Sequence, residues 1–455
     1  MRGILLLLSM AFISSIIYAQ TEVSGEQTGA WTAADSPYLV VGDINVPSGE
    51  GLYIEEGVEV RFQGYYKLQI DGLLHAMGHP VDSILFTAED IDLGWKGIRF
   101  NGTSGMNHLE YCRIEYGRTE GEYPDIHGAA IALFSANVEA ISCTFADNDA
   151  TGDEYGMGGA IYGYNTMNSI FSDCDFLRNH SYGEGGAVKL TGDYGTTFYR
   201  CNFIGNNCFY GGGALSFYMV SNTKLKKCLI ADNYTTYSAG GAIQTLGIGN
   251  TFTLENCTLS DNEAVNGDGG AINLASATAT ITNCIVYQNE GAYSDDINLD
   301  MDGNAIINYS CLTMPAGASG GNNIDTDPLF VDAVNGDFHL QETSACIDAG
   351  MDIGMQFIGE APDMGCFEYD PGVATNTMIT DNHQLYPNPA KDYFSIQNLE
   401  DIEAIYLSDI TGKTIKIISE FQQERFDISD LKTGIYFVNI ITQNQSQYTY
   451  KLIVE

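Results

Sequence analysis

The sequence predicts an all-β chain: a parallel β-helix with coils of about 27 residues, followed by a small C-terminal β-sandwich. Three observations carry that prediction. Cysteines at 112, 143, 174, 201, 228, 257, 284 and 311 lie 31, 31, 27, 27, 29, 27 and 27 residues apart. From Cys143 to Cys284 each opens one phrase, Cys-x-apolar-x-x-Asn, ending at Asn148, Asn179, Asn206, Asn233, Asn262 and Asn289. A second phrase runs out of step with it: Gly158-Gly-Ala-Ile161, Gly185-Gly-Ala-Val188, Gly212-Gly-Ala-Leu215, Gly240-Gly-Ala-Ile243 and Gly269-Gly-Ala-Ile272, with a weaker copy at Gly128-Ala-Ala-Ile131.

Each phrase has a physical reading. Short β-like runs between Gly and Asn corners suit strands that stack about 4.8 Å apart, and the 3.6-residue period of a helical solenoid is absent. The Cys and the apolar residue two later point to one face, where a narrow interior takes small or apolar side chains. The Asn falls at a corner, where its amide donates and accepts, so equivalent Asn residues are expected to hydrogen-bond up the stack. Gly-Gly supplies backbone freedom at the next corner, and Ala fits the start of the following strand.

Eight cysteines in one position per coil point the same way, a poor geometry for bridging. They are expected to form a buried column of reduced thiols. Cys346 and Cys366, beyond the repeat, are the expected pair, and Cys208 is left over.

The chain has 455 residues, 19 Lys+Arg and 59 Asp+Glu, a formal net charge of −40. That balance excludes nucleic acid and an anionic membrane surface as partners, and would also repel a polyanion unless metal bridged the two. Arg2 and the apolar run from Ile4 to Ile17, then Tyr18-Ala19, read as an export signal over residues 1–19. No later run reaches eighteen apolar residues, so no transmembrane segment is expected. Residues 20–370 form the expected β-helix with its opening coils and closing segment, and 371–382 a linker. Residues 383–455 alternate in short strands punctuated by Gly and Pro, the pattern of a small sandwich.

That last stretch closely resembles the type A C-terminal sorting domain of the type IX secretion system of the Bacteroidetes. The residues that carry the resemblance are Tyr386-Pro387-Asn388-Pro389, Asp409-Ile-Thr-Gly412-Lys413, Leu431 with Gly434-Ile-Tyr436, and Lys451-Leu-Ile-Val454. It implies the type IX secretion and surface-attachment machinery as partners. The expected destination is the outer cell surface, or release after removal of this domain. The Gly-Gly-Ala-Ile and Phe-x-x-Asn phrases resemble the right-handed parallel β-helices of chlamydial polymorphic outer-membrane proteins and related adhesins. Asp327-Pro-Leu-Phe-Val-Asp332 and Asp363-Met-Gly-Cys-Phe-Glu368 resemble the closing segment of surface-anchored bacterial β-helix proteins.

One scaffold of this kind hosts many functions. A polysaccharide lyase or glycoside hydrolase of the pectin-lyase-like fold needs clustered carboxylates, often with Ca²⁺, and a basic residue beside them. Between residues 128 and 311 the bases are Arg178, Lys189, Arg200, Lys224, Lys226 and Lys227, and no Asp cluster accompanies Lys189, so no catalytic set is assigned. Asp295, Asp296, Asp300 and Asp302 have the alternation of a calcium loop, or of a solvated acidic corner. Tyr155, Tyr182, Tyr210 and Tyr237 precede the Gly-Gly pairs and in register would line one edge, as a carbohydrate-stacking platform or as mutual support for the loops. Ala132, Tyr162, Lys189, Ser216, Gln244 and Asn273 are outward positions that differ from coil to coil, as on a binding face or a plain solvent face. The expected function is a surface-displayed or secreted binding and adhesion module for glycan or another surface component. The alternatives are a polysaccharide-processing enzyme and a passive stalk.

Overall fold

The computed structural model describes residues 20–370 apart from 104, 153, 154, 293 and 295, together with 385–386, 390–391, 393–396, 402–409, 414–418, 425–429, 431, 434–442 and 447–454. The expected export signal at 1–19 and linker at 371–382 lie outside the described residues. The chain divides into two units at residue 370.

One coil shows how the first unit is built. Its strands are Ile170–Ser172, Asp175–Leu177, His180–Ser181 and Val188–Thr191. Each pairs in parallel with the next coil: Ile170 opposite Thr197, Asp175 opposite Asn202, His180 opposite Asn207 and Val188 opposite Leu215. The constant offset of 27 is the period of the two phrases. At the N-terminal end Tyr38–Val46 pairs onward with both Glu59–Phe62 and Leu68–Ile70, and Thr21–Glu26 pairs with Tyr38–Val46 across a register shift between Val23 and Gly25.

The interior follows the phrases. Cys174 and Phe176 are both buried, and Phe145, Phe176 and Phe203 stack with ring centroids 4.9 and 4.6 Å apart. The expected Asn ladder is continuous. Each Nδ2 from Asn148 to Asn262 donates to the next Oδ1 at 2.9 Å, and that Oδ1 also accepts the preceding Asn backbone N–H. Gly117 N–H starts the ladder by donating to Asn148 Oδ1, and Asn289 ends it by donating to Asp296 at 3.1 Å.

The corners need glycine less than the sequence suggests. Ser142, Asp173, Arg200, Lys227, Asn256 and Asn283 form one column of left-handed corners, with φ between 49° and 56°. Stacking holds a conformation that such residues adopt only at a cost. The Gly-Gly column differs because space is lacking. A Cβ on Gly185 would lie 2.3 Å from the Val188 carbonyl oxygen, and one on Gly186 would lie 2.0 Å from that of Gly213 in the next coil.

Two cysteine expectations are corrected. The thiol column holds Cys112 to Cys284, all buried, but its next position is Ser310, whose Oγ accepts the Cys284 backbone N–H at 3.0 Å. Cys311, one residue on, faces the other side of its strand, because a shift of one residue in a strand reverses the side chain. There it packs with Cys346, so Cys346 does not meet Cys366. Cys366 instead packs with Leu229, Ala231 and Phe338, and burial pushes its thiol up to about 12. Cys208 is buried too, its Sγ accepting the Gly211 N–H at 3.3 Å.

The closing segment runs back along the coils instead of only capping the end. Asn256 Nδ2 donates to the Asp363 carbonyl, Asn283 Nδ2 to that of Met351, and Lys227 Nζ to that of Gln356. It covers outward positions that are apolar at Leu229 and Ile285, with Thr258 between them accepting the Cys366 backbone N–H at 3.1 Å. The equivalent positions two coils and one coil before Leu229 are Asp175 and Asn202. In the second unit an antiparallel sheet joins Thr414–Ile418, Ile402–Asp409, Gly434–Thr442 and Gln447–Val454 in that order. A smaller sheet joins Leu385–Tyr386, Tyr393–Ile396 and Phe426–Asp427, and Phe394, Ile405, Leu407, Val438 and Leu452 form the core.

Candidate functional site

The loops that lead into the Gly-Gly strands stack along one edge of the helix. Gly183 N–H donates to Gly156 O at 2.6 Å, Tyr210 N–H to Gly183 O at 3.1 Å and Tyr237 N–H to Phe209 O at 2.8 Å. Backbone bonds between loops fix the tyrosines in register. Tyr182 and Tyr210 have ring centroids 5.8 Å apart, and Tyr210 and Tyr237 6.0 Å, with Phe209 between Tyr182 and Tyr237. Tyr155, Tyr210 and Tyr237 are 68 %, 46 % and 61 % exposed. Tyr155, Met157, Tyr182, Glu184 and Tyr210 line an open cavity of about 340 Å³.

The outward strand row is no such surface. Tyr162 is only 6 % exposed and stacks on His127 at 4.4 Å, and burial pushes its hydroxyl up to about 12. Ala132, Lys189, Ser216, Gln244 and Asn273 are buried as well. The loops fold back over these strands: Lys189 Nζ pairs with Glu184 and donates to Ser216 Oγ at 3.1 Å. Tyr162 therefore leaves the candidate edge.

One member of that row is as buried but not fully satisfied. Arg99 pairs with Ala132 in register and is 2 % exposed. Its Nη1 donates to Gly128 O at 2.6 Å, and its Nε lies 3.7 Å from Asp125 Oδ1. Nε and Nη2 have no hydrogen-bond partner among the described residues. Burial lowers its pKa to about 10, against the pull of Asp125. Lys67 Nζ is 3.1 Å from Asp125, and these three residues with Gln69, Tyr123 and Tyr164 line a cavity of about 490 Å³.

Comparison with known proteins agrees with this architecture. Residues 96–284 match the right-handed β-helix region family, and residues 384–455 match the secretion system C-terminal sorting domain. The protein is an exported right-handed β-helix with a type IX sorting tail. The tail directs it through that secretion system to the cell surface or beyond. A curated protein of Formosa agariphila, an endo-acting ulvan lyase, is 32 % identical over 88 residues, which cover 18 % of this chain and 17 % of that protein. The chain thus spans well under two thirds of that relative.

In this exported β-helix the remaining sequence-predicted residues lie apart. Asp296 caps the Asn ladder, whereas Asp300 ends the strand Ile297–Asp300 and Asp302 sits in the turn after it. Asp295 lies outside the described residues, and no group of three metal-ligating side chains occurs among the described ones. In the sorting tail, Gly434 and Tyr436 lie in the strand Gly434–Thr442, Lys451 in Gln447–Val454 and Tyr386 in Leu385–Tyr386. Pro387, Asn388, Pro389 and Gly412 lie outside the described residues. Sequence reasoning missed Lys67, Arg99 and Asp125. The available signal was an Arg in the outward row one coil before Ala132, followed by a long loop with an acid and Tyr123.

Proposed function

We propose that this exported β-helix is a binding and adhesion module that holds a glycan, free or on a surface component, along its tyrosine edge. The observation that supports this reading is the run of exposed, register-stacked tyrosines beside an open cavity. A tyrosine offers an apolar face to the C–H face of a sugar and a hydroxyl to its oxygens. A rigid row with a regular spacing suits a chain of repeating units. Residues 1–19 would be the export signal, 371–382 the linker and 383–455 the domain handed to the secretion and attachment machinery.

The test incubates the full chain with insoluble and soluble polysaccharides, with Ca²⁺ or with chelator, and measures co-sedimented protein. Tyr182→Ala with Tyr210→Ala is expected to lower the affinity at least about fivefold, the loss of two aromatic contacts of about 0.5–1.5 kcal/mol each. Retention unchanged by the double substitution, or on no polysaccharide at all, would sink the reading. The similarity to a protein named an endo-acting ulvan lyase favours a second reading, polysaccharide cleavage. New reducing or unsaturated ends in the same tubes would establish it.

A further inference from the structure

The tyrosine edge does not account for the cavity at Arg99. Lys67 and Arg99 share one carboxylate, Asp125, at 3.1 and 3.7 Å, so its wall carries more positive than negative charge in a chain of net charge −40. Asp43 accepts the Lys67 backbone N–H and Asp71 the Gln69 amide, and neither lines the cavity.

The guanidinium shows which ligand is missing. Its fork of donors matches a carboxylate or sulfate in pairs. Elsewhere in this molecule that pairing is made by Nε and Nη2 together: Arg178 holds Asp147 at 2.8 and 2.7 Å, and Arg200 holds Asp173 at 2.6 and 2.7 Å. At Arg99 the same two nitrogens make no hydrogen bond among the described residues, Nε reaching Asp125 only as an ion pair at 3.7 Å. A buried donor without an acceptor is costly, and more so on a cation. Tyr123, Phe134 and Tyr164 line the cavity beside it, and its volume of about 490 Å³ suits a small ligand.

We propose that this cavity binds an anionic sugar unit, with its carboxylate or sulfate ester on Arg99 and Lys67 and its ring against Tyr123 and Tyr164. The site lies at the N-terminal end of the tyrosine edge, since the Tyr123 loop stacks on the Tyr155 loop through Gly128 N–H to Met157 O at 2.9 Å. The inference rests on the saccharide reading and names the chemical class of one unit.

Calorimetric titration of the full chain with glucuronate, a sulfated hexose, glucose and inorganic sulfate tests it. At least one acidic sugar is expected to bind about tenfold or more tightly than both glucose and inorganic sulfate. Whichever acidic sugar binds tells carboxylate from sulfate ester. Arg99→Met is expected to abolish the preference, and so is Lys67→Met at the half-buried rim, where folding is less at stake. Glucose binding as tightly, bare sulfate binding as tightly, or a preference that survives both substitutions would overturn it. If no acidic sugar binds while tyrosine-dependent sedimentation persists, this inference falls and the glycan-binding edge stands. If glucuronate binds through Arg99 while nothing sediments, the edge falls and the cavity stands.

Discussion

Lys189 and Arg99 stand in the same outward row, three coils apart, and meet opposite surroundings. Over Lys189 the loop is short, residues 182–187, and it brings Glu184 onto the ammonium with Ser216 beside it. Over Arg99 the loop is long, residues 116–130, and its Asp125 reaches Lys67 more closely than it reaches Arg99. The strands beneath are alike. The difference teaches that in this solenoid the coil fixes where a side chain starts, while the loop decides whether it is sealed or faces a cavity.

The sealed coils should be fragile to a single polar deletion, and this is the largest expected effect. Asn206 makes four side-chain hydrogen bonds, to Asn233, to Phe176 O and with both nitrogens of Asn179. Asn206→Ala leaves the buried Asn179 backbone N–H without its acceptor. It also takes one bond each from Asn179 Nδ2, which keeps Phe145 O, from Asn233 Oδ1, which keeps the Asn206 N–H, and from Phe176 O. A loss of roughly 3–5 kcal/mol is therefore expected in denaturant unfolding. A loss below about 1 kcal/mol would mean that water or relaxation replaces the ladder, and the coils are less sealed than they look.

The paired substitutions Lys189→Met and Arg99→Met test the comparison directly. Removing Lys189 strands Glu184 under its loop, and a partly buried pair broken on one side costs about 2 kcal/mol or more. Removing Arg99 deletes a cation that is poorly satisfied while Asp125 keeps Lys67, so stability should change by less than about 1 kcal/mol. Equal costs at the two positions would erase the distinction between a satisfied and an unsatisfied cation in that row.

Much of this was legible in the sequence because the repeat is dictated by local geometry. The Asn phrase foretold the ladder, Cys with Phe two residues later foretold the core face, and the motifs of the tail foretold its sorting role. What was hidden depended on loops. Nothing in the phrase around Tyr162 reveals that the preceding loop, with His127, covers it. Cys311 kept the spacing of 27 but slipped one residue past Ser310, which spacing alone cannot reveal. The route of the closing segment did leave a trace, in the change from Asp175 and Asn202 to Leu229, Thr258 and Ile285 at one outward position.

That segment extends the comparison to a second outward face, and pH examines it. Burial raises Asp363 to about 6 from 3.8, although it accepts the Asp348 and Tyr369 backbone N–H groups. The folded state thus holds this proton more tightly than the unfolded chain. The protonated group favours the fold below 3.8, and that advantage is lost as pH rises through about 6. Asp363→Asn cannot titrate, so the variant should gain stability relative to the parent chain between pH 4 and 7. The difference cancels the general pH response of the other carboxylates. A constant gap between the two unfolding midpoints would show that solvent already reaches Asp363 and that the closing segment seals its face poorly.

The smallest effect expected concerns salt, and it separates the cavity at Arg99 from an ordinary basic patch. A ligand anion meets long-range repulsion from a chain of net charge −40 and short-range attraction from Arg99 and Lys67. The Debye length falls from about 30 Å at 0.01 M salt to about 8 Å at 0.15 M, and buried contacts are screened much less than exposed ones. Added salt should therefore remove more repulsion than attraction. Affinity for an acidic monosaccharide is expected to hold or tighten about twofold over that range, the reverse of the weakening seen where exposed cations drive binding. A tenfold loss would assign the attraction to surface charge, leaving Arg99 as enclosed in effect as Lys189.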